Sequence, residues 1–187
     1  MRHLTRLHRG LLVGIATAVA MLSAAQVAGA APKEGPTVPN EIAVPGGNKL
    51  FLVGHATGVQ IYTCNNGVWG PGSTPRATLV DDKQKVVATH FAGPTWQARD
   101  GSTVVGARKN GVNAPDPTKA IPSLLLSATS TAAGPDGDQF VKTTFIQRVN
   151  TNGGVAPTAS CTAADKPVEV PYTADYYFWK ATGKPSA

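Results

Sequence analysis

Within thirteen positions, HFAGPTWQARDGS at 90–102, the chain carries a histidine, an aspartate and a serine. Acyl transfer uses these side chains as base, orienting acid and nucleophile, and they must then lie within hydrogen-bond reach of one another. The same stretch contains Gly93-Pro94 and Asp100-Gly101, pairs that ordinarily punctuate strands. If one strand ends at Phe91 and the next runs over Thr95 to Arg99, His90 and Asp100 stand at opposite ends of a hairpin arm, about 15 Å apart and too far for a direct bond. Ser102 opens a strand, and the chain has no Gly-x-Ser-x-Gly elbow. The pattern favours Asp100 as a turn cap and Trp96 as a packed side chain, and leaves His90 and Asp100 as the pair on which an enzyme would be centred.

Metal chemistry would draw on His55 and His90, the two histidines beyond residue 30, with Asp100 or Asp175 as a carboxylate partner. Each histidine falls at or near a strand end, so the two would have to meet at one rim; no ligand pair has a recognisable metal spacing, and no metal is expected. No cofactor is expected either, since no Gly-x-Gly-x-x-Gly follows a strand. Binding chemistry has more material. Gln60 and Gln147 fall on otherwise apolar strand faces, Arg148 follows Gln147, and Trp96, Tyr172 and Tyr176 supply aromatic surface.

The elements that must position these residues begin after an address segment. Residues 1–30 combine a basic start (Arg2, Arg6, Arg9), an apolar run from Leu11 to Ala25 and the small-x-small site Ala28-Gly29-Ala30, the pattern of a secretory signal peptide. Its removal takes three of the seventeen Lys and Arg and none of the eleven acids, which leaves a formal net charge of +3. The remaining charges are scattered, with Lys83 and Lys85 beside Asp81 and Asp82, so there is no basic stripe for nucleic acid. No further transmembrane segment follows the signal. An exported chain keeps its cysteines oxidised, and Cys64 and Cys161 allow one pairing. That bridge closes a loop worth about 4 to 5 kcal/mol in the chain-entropy account.

Residues 31–45, with prolines at 32, 36, 39 and 45, read as an extended arm that a sheet edge can order. From 46 to 180 the pattern is short strands rich in Val, Ile, Thr and aromatics, and 181–187 is a tail. Strands are expected over 49–55, 59–64, 77–80, 86–91, 95–99, 102–108, 124–129, 140–150 and 172–179. No helical period competes with them. This spacing predicts one all-β domain, an antiparallel β-sandwich or alternatively a closed or partly open β-barrel. In the strand over 140–150, Gln147 shares a face with Phe145 and Val149 and should be the buried member, while Arg148 should reach solvent or pair with Asp175. In the last strand, Tyr176 and Phe178 share one face and Tyr177 and Trp179 the other. One row then belongs to the core and the second lies against a loop, a partner or a ligand.

GVQIYTC at 58–64, HFAGPTW at 90–96, DGS at 100–102, IPSLLL at 121–126, IQRVNTNGGVAP at 146–157 and VPYTADYYF at 170–178 occur in this order. In this the chain resembles a family of secreted bacterial and fungal domains of unknown function, and the resemblance spans nearly the whole mature chain. Some fungal members carry a malate dehydrogenase label, to which this chain, without a dinucleotide fingerprint or alternating strands and helices, lends nothing. Two readings follow. The preferred one is a secreted, non-catalytic module that binds a small molecule or glycan through Gln60, Trp96, Gln147, Arg148, Tyr172 and Tyr176. The alternative is a small extracellular hydrolase or metal-dependent enzyme centred on His90 and Asp100. An enzyme needs titratable groups converging in one pocket, and a binder does not.

Overall fold

In a computed structural model of the chain, residues 34–183 are described; the expected signal peptide and the final residues 184–187 lie outside them. The strands are β1 (Asn48–Tyr62), β2 (Cys64–Asn65), β3 (Val68–Trp69), β4 (Thr74–Val80), β5 (Val86–Phe91), β6 (Thr95–Ala98), β7 (Thr103–Val112), β8 (Ser123–Ala132), β9 (Thr143–Gly153) and β10 (Val168–Ala181). Eight of them form a closed antiparallel barrel in the order β1-β10-β9-β8-β7-β6-β5-β4, and β2 and β3 make a separate hairpin. The all-β antiparallel expectation holds, and the architecture is the barrel rather than the sandwich.

Closure depends on β1, which pairs with β10 along its whole length and with β4 from His55 to Ile61. The sequence suggests a break around Thr57-Gly58, yet the strand runs through. A Cβ on Gly58 would collide with the backbone at Arg76 and Ala77, so the bare glycine is what lets β4 lie against the long strand. The inner wall is correspondingly thin on this side, where Ala56, Ala77, Ala88 and Ala98 share one core with the larger Trp96, Ile146, Tyr176 and Phe178. Trp96 stands edge-on to Tyr176 and Phe178, at centroid distances of 5.4 and 6.0 Å.

One end of the barrel is floored. Asp100, in the turn between β6 and β7, accepts from the Ser102 amide (2.9 Å) and hydroxyl (2.6 Å) through one oxygen, and from the Gln139 amide (2.8 Å) through the other. The Ser102 hydroxyl oxygen in turn accepts the Phe140 amide at 3.1 Å. This polar latch seats Phe140, fully buried, against Phe178. It is the turn cap expected of Asp100, extended to a second loop.

The arm is ordered, but not along an edge, because a closed barrel has none. It crosses the outer face, where Ile42 packs with Leu125 and Val149, and Val38, Val44, Phe145 and Tyr177 surround them. The indole of Trp179 lies against Gly35, where a Cβ would overlap it. Gln147 is buried under this cover: its amide donates to the Ile42 carbonyl (2.7 Å) and its oxygen accepts from the Trp179 indole (2.9 Å). The second aromatic row thus lies against the arm.

Cys64 and Cys161 are bonded, with Cα atoms 5.8 Å apart at a sequence separation of 97. The bridge ties the long segment between β9 and β10 to the β2–β3 hairpin, where the Cys161 amide also donates to the Gly67 carbonyl.

Two outcomes are expected. Cys64→Ser/Cys161→Ser should lower the unfolding free energy in a denaturant titration by about 4 to 5 kcal/mol, the loop-closure value. Gln147→Ala strands the Ile42 carbonyl and the Trp179 N–H and should cost about 2 to 4 kcal/mol in the same measurement.

Candidate functional site

The other end of the barrel holds a cavity of about 220 Å³. Its wall is built by positions that face inward on seven strands: Gln60 at the end of β1, Pro75 on β4, His90 on β5, Trp96 on β6, Arg108 on β7, Leu124 and Leu126 on β8 and Arg148 on β9, with Tyr176 of β10 below and Gly93-Pro94 and Ser73-Thr74 at the lip. The lining combines apolar surface (Trp96, Leu124, Leu126, Pro94) with polar groups (Gln60, Arg148, Tyr176), the mixture typical of a small-molecule pocket.

Each polar side chain has a defined state. His90 stacks on Trp96, with centroids 4.2 Å apart and planes 3° from parallel. Its Nδ1 donates to the Thr95 carbonyl at 2.9 Å, which leaves Nε2 as an unprotonated acceptor. Burial pushes its pKa down to about 4, and the nearby Arg148 charge adds to the fall. The Gln60 carbonyl accepts from the Ser73 hydroxyl, while its Nε2 has no partner; the Trp96 Nε1 is likewise buried and unpaired. The Tyr172 and Tyr176 hydroxyls are 3.3 Å apart, and burial raises both pKa values, so they stay protonated. Arg148 donates through Nε and Nη2 to the Pro122 carbonyl at 3.2 and 2.9 Å.

The sequence-derived candidates divide accordingly. Gln60, Trp96, Arg148, Tyr176 and His90 come together at the cavity, and Tyr172 joins through its contact with Tyr176. Gln147 does not: it lies on the outer face, satisfied by the arm. Against the expectation from its neighbours, Arg148 neither pairs with Asp175 nor points to bulk solvent but lines the cavity. Strand alternation pairs Arg148 with Ile146, and the arm has claimed the opposite face, so Arg148 turns into the barrel. Asp175 is outside, where it accepts from Asn150 at 2.8 Å and bonds His55 Nδ1 at 2.6 Å.

His90 and Asp100 belong to opposite ends of the barrel. His90 pairs across the sheet with Trp96, and four residues of β6 and its turn, about 13 Å, separate Trp96 from Asp100. His55 sits on the outer surface between Asp82 and Asp175, hydrogen bonds to both of which raise its pKa, and does not approach His90. Among the described residues no group of three His, Cys, Asp or Glu side chains is arranged to hold a metal. Arg108, Leu124 and the lip at Ser73-Thr74 are the site residues that sequence reasoning missed. The inward parity of Arg108 with Val104 on β7 was the available signal, masked by bulges in that strand.

Fold and site together define an eight-stranded antiparallel barrel, floored at one end and hollow at the other, with an amphiphilic cavity in its mouth. The chain belongs to the family described as "Protein of unknown function (DUF3455)", whose family model matches residues 45–180. No curated protein and no solved structure matches it. None of the helices among the described residues is long and apolar enough to cross a membrane.

The buried histidine makes a pH prediction. Its folded pKa of about 4 lies below the unfolded value near 6.5, so the unfolded state binds the extra proton between these limits. Stability contributed by neutral His90 is full above pH 6.5 and should fall by up to about 3 kcal/mol as pH drops to 4. Melting curves of His90→Phe should lose that part of the acid dependence relative to the unsubstituted protein.

Proposed function

We propose that this protein is an exported, non-catalytic binding module that holds a small molecule in the open end of its barrel. The reading is carried by one observation: the barrel is filled and latched at the Phe140 end, while at the other end inward polar side chains surround a cavity that no side chain fills. An eight-stranded barrel has an interior just large enough either to be packed solid or to hold one small ligand. This chain does the first at one end and leaves room for the second at the other. Export is supported by the basic, apolar and small-residue pattern of residues 1–30 and agrees with the disulfide.

The size of the cavity sets the scale of the ligand. An apolar cavity of about 150 Å³ accommodates benzene, and drug-sized ligands use about 300 Å³ or more. At about 220 Å³ the cavity suits a single ring with a polar substituent, or one sugar unit of a glycan.

The test is a thermal-shift screen of the mature protein against monosaccharides and single-ring compounds, repeated with Leu124→Trp, which fills the cavity from a half-exposed wall position. A compound present at about a hundredfold excess over its Kd should stabilise the protein by about 2.7 kcal/mol, move the indole N–H resonance of Trp96 and be recovered unchanged. Stabilisation that survives Leu124→Trp would place binding elsewhere and defeat the proposal, as would conversion of the compound by the protein.

A further inference from the structure

The cavity has a sign of charge. Arg148 and Arg108 both line it, and no Asp or Glu does among the described residues. Five of the eleven carboxylates are committed elsewhere: Glu169 to Arg76, Asp116 to Lys119, Asp175 and Asp82 to His55, and Asp100 to the floor latch. Neither cavity arginine has an acidic partner within salt-bridge distance among the described residues. His90 adds no compensating charge, since it is neutral and its ring lies flat on Trp96. Two guanidinium groups facing one small cavity with no counter-charge repel each other, and an anion between them removes that repulsion.

The two arginines are placed to share a ligand. They sit on strands flanking β8, Arg108 opposite Leu126 and Arg148 opposite Leu124; two strand spacings and a two-residue offset put their backbones about 12 Å apart, within reach of two long side chains. Arg148 is half-buried and its orientation is set: Nε and Nη2 are held by the Pro122 carbonyl, and the guanidinium lies beside the Tyr176 hydroxyl. Arg108 is exposed at the rim, and its Nη2 lies over Gly111, where a Cβ would come within 2.7 Å of it. Gly106 similarly leaves space beside the Trp96 ring, to which a Cβ would come within 3.1 Å. Gln60 Nε2 adds an unpaired donor to the same wall. Donors therefore dominate the polar groups of the cavity, and Trp96, Leu124 and Leu126 supply its apolar surface, the two leucines lying on β8 between the arginine-bearing strands.

We infer that the ligand of this cavity is a small organic carboxylate, its oxyanion held between Arg148 and Arg108 and its apolar body laid against Trp96, Leu124 and Leu126. The inference rests on the cavity being a binding site, and adds the charge and shape of what it binds. Guanidinium binds carboxylate through paired N–H donors in a way that a neutral amide cannot reproduce. A bare inorganic anion would leave the apolar wall unused.

Benzoate, benzamide and inorganic phosphate separate these points by calorimetric titration into the mature protein, with the Trp96 indole resonance as a local readout. Benzoate should bind at least about tenfold more tightly than benzamide, the difference that a charge-assisted hydrogen bond supplies. Arg108→Gln, a substitution at an exposed rim residue, should reduce that preference severalfold without loss of melting temperature. Arg148→Gln should abolish it, and circular dichroism would report any damage from freeing the Pro122 carbonyl. Equal affinity for benzoate and benzamide would overturn the carboxylate assignment and leave the cavity as a site for neutral compounds. A preference that persists in both variants would place the anion elsewhere and overturn it too. Tighter binding of phosphate than of benzoate would remove the apolar body from the proposal. Failure of benzoate alone, while neutral compounds of the wider screen still bind, sinks this inference and spares the binding module; failure of every compound sinks both.

Discussion

Barrel closure is the constraint from which the rest of the structure follows. It is made where β1 hydrogen-bonds to β4 on one side while already paired with β10 on the other, and it depends on the absence of a side chain at Gly58. Once the ring is closed, the barrel has no strand edge left to recruit another chain, and every inward position on its eight strands shares one enclosed volume. Each alternate residue is thereby committed to a crowded interior or to the outside. Trp96, Tyr176 and Phe178 fill the middle of that volume because the small Ala56, Ala77, Ala88 and Ala98 of the same core leave space for them.

The two ends of this volume are treated differently, and the proposed function rests on the difference. At the floor, a charged side chain stays at the surface and works through hydrogen bonds: Asp100 organises Ser102 and Gln139, and Ser102 in turn holds the Phe140 amide, so an apolar ring can close the barrel without stranding backbone donors. At the mouth, polar side chains come inward instead and no loop covers them. His90 tolerates this by remaining neutral, Arg148 by giving two donors to a backbone carbonyl, and Gln60 only in part, since its amide nitrogen stays unpaired. Unpaired donors beside a cavity are costly in a folded chain that has no use for them, and that cost is the physical reason to look for the ligand there.

The outside of the barrel is also more than a solvated surface. Phe145, Val149 and Tyr177 make an apolar outer face on β9 and β10, which the arm covers with Val38, Ile42 and Val44. Gln147 joins the two layers by bonding to a backbone carbonyl of the arm and to the Trp179 indole. The arm thus sets the direction of Arg148: with Gln147 held outside, its neighbour in a regular strand must point in.

The sequence alone determined what depends on neighbours along the chain. Strand positions, turns at Asp81–Gln84 and Arg99–Gly101, the capping role of Asp100, the pairing of the two cysteines and the burial of Gln147 all follow from residue type, local spacing or the count of possible partners. The same local reasoning placed His90 and Asp100 too far apart to work together. What it could not decide was which face of a two-sided strand becomes the inside, because alternation is symmetrical until another layer covers one side. For β9 that layer is the arm, about a hundred residues earlier in the chain, and only the folded ring could show that Arg148 turns inward toward Arg108, Gln60 and His90. Sandwich and barrel likewise share their strands and turns, and differ in one set of hydrogen bonds, between β1 and β4, whose formation depends on a close approach at a single glycine and was therefore decided by the tertiary structure.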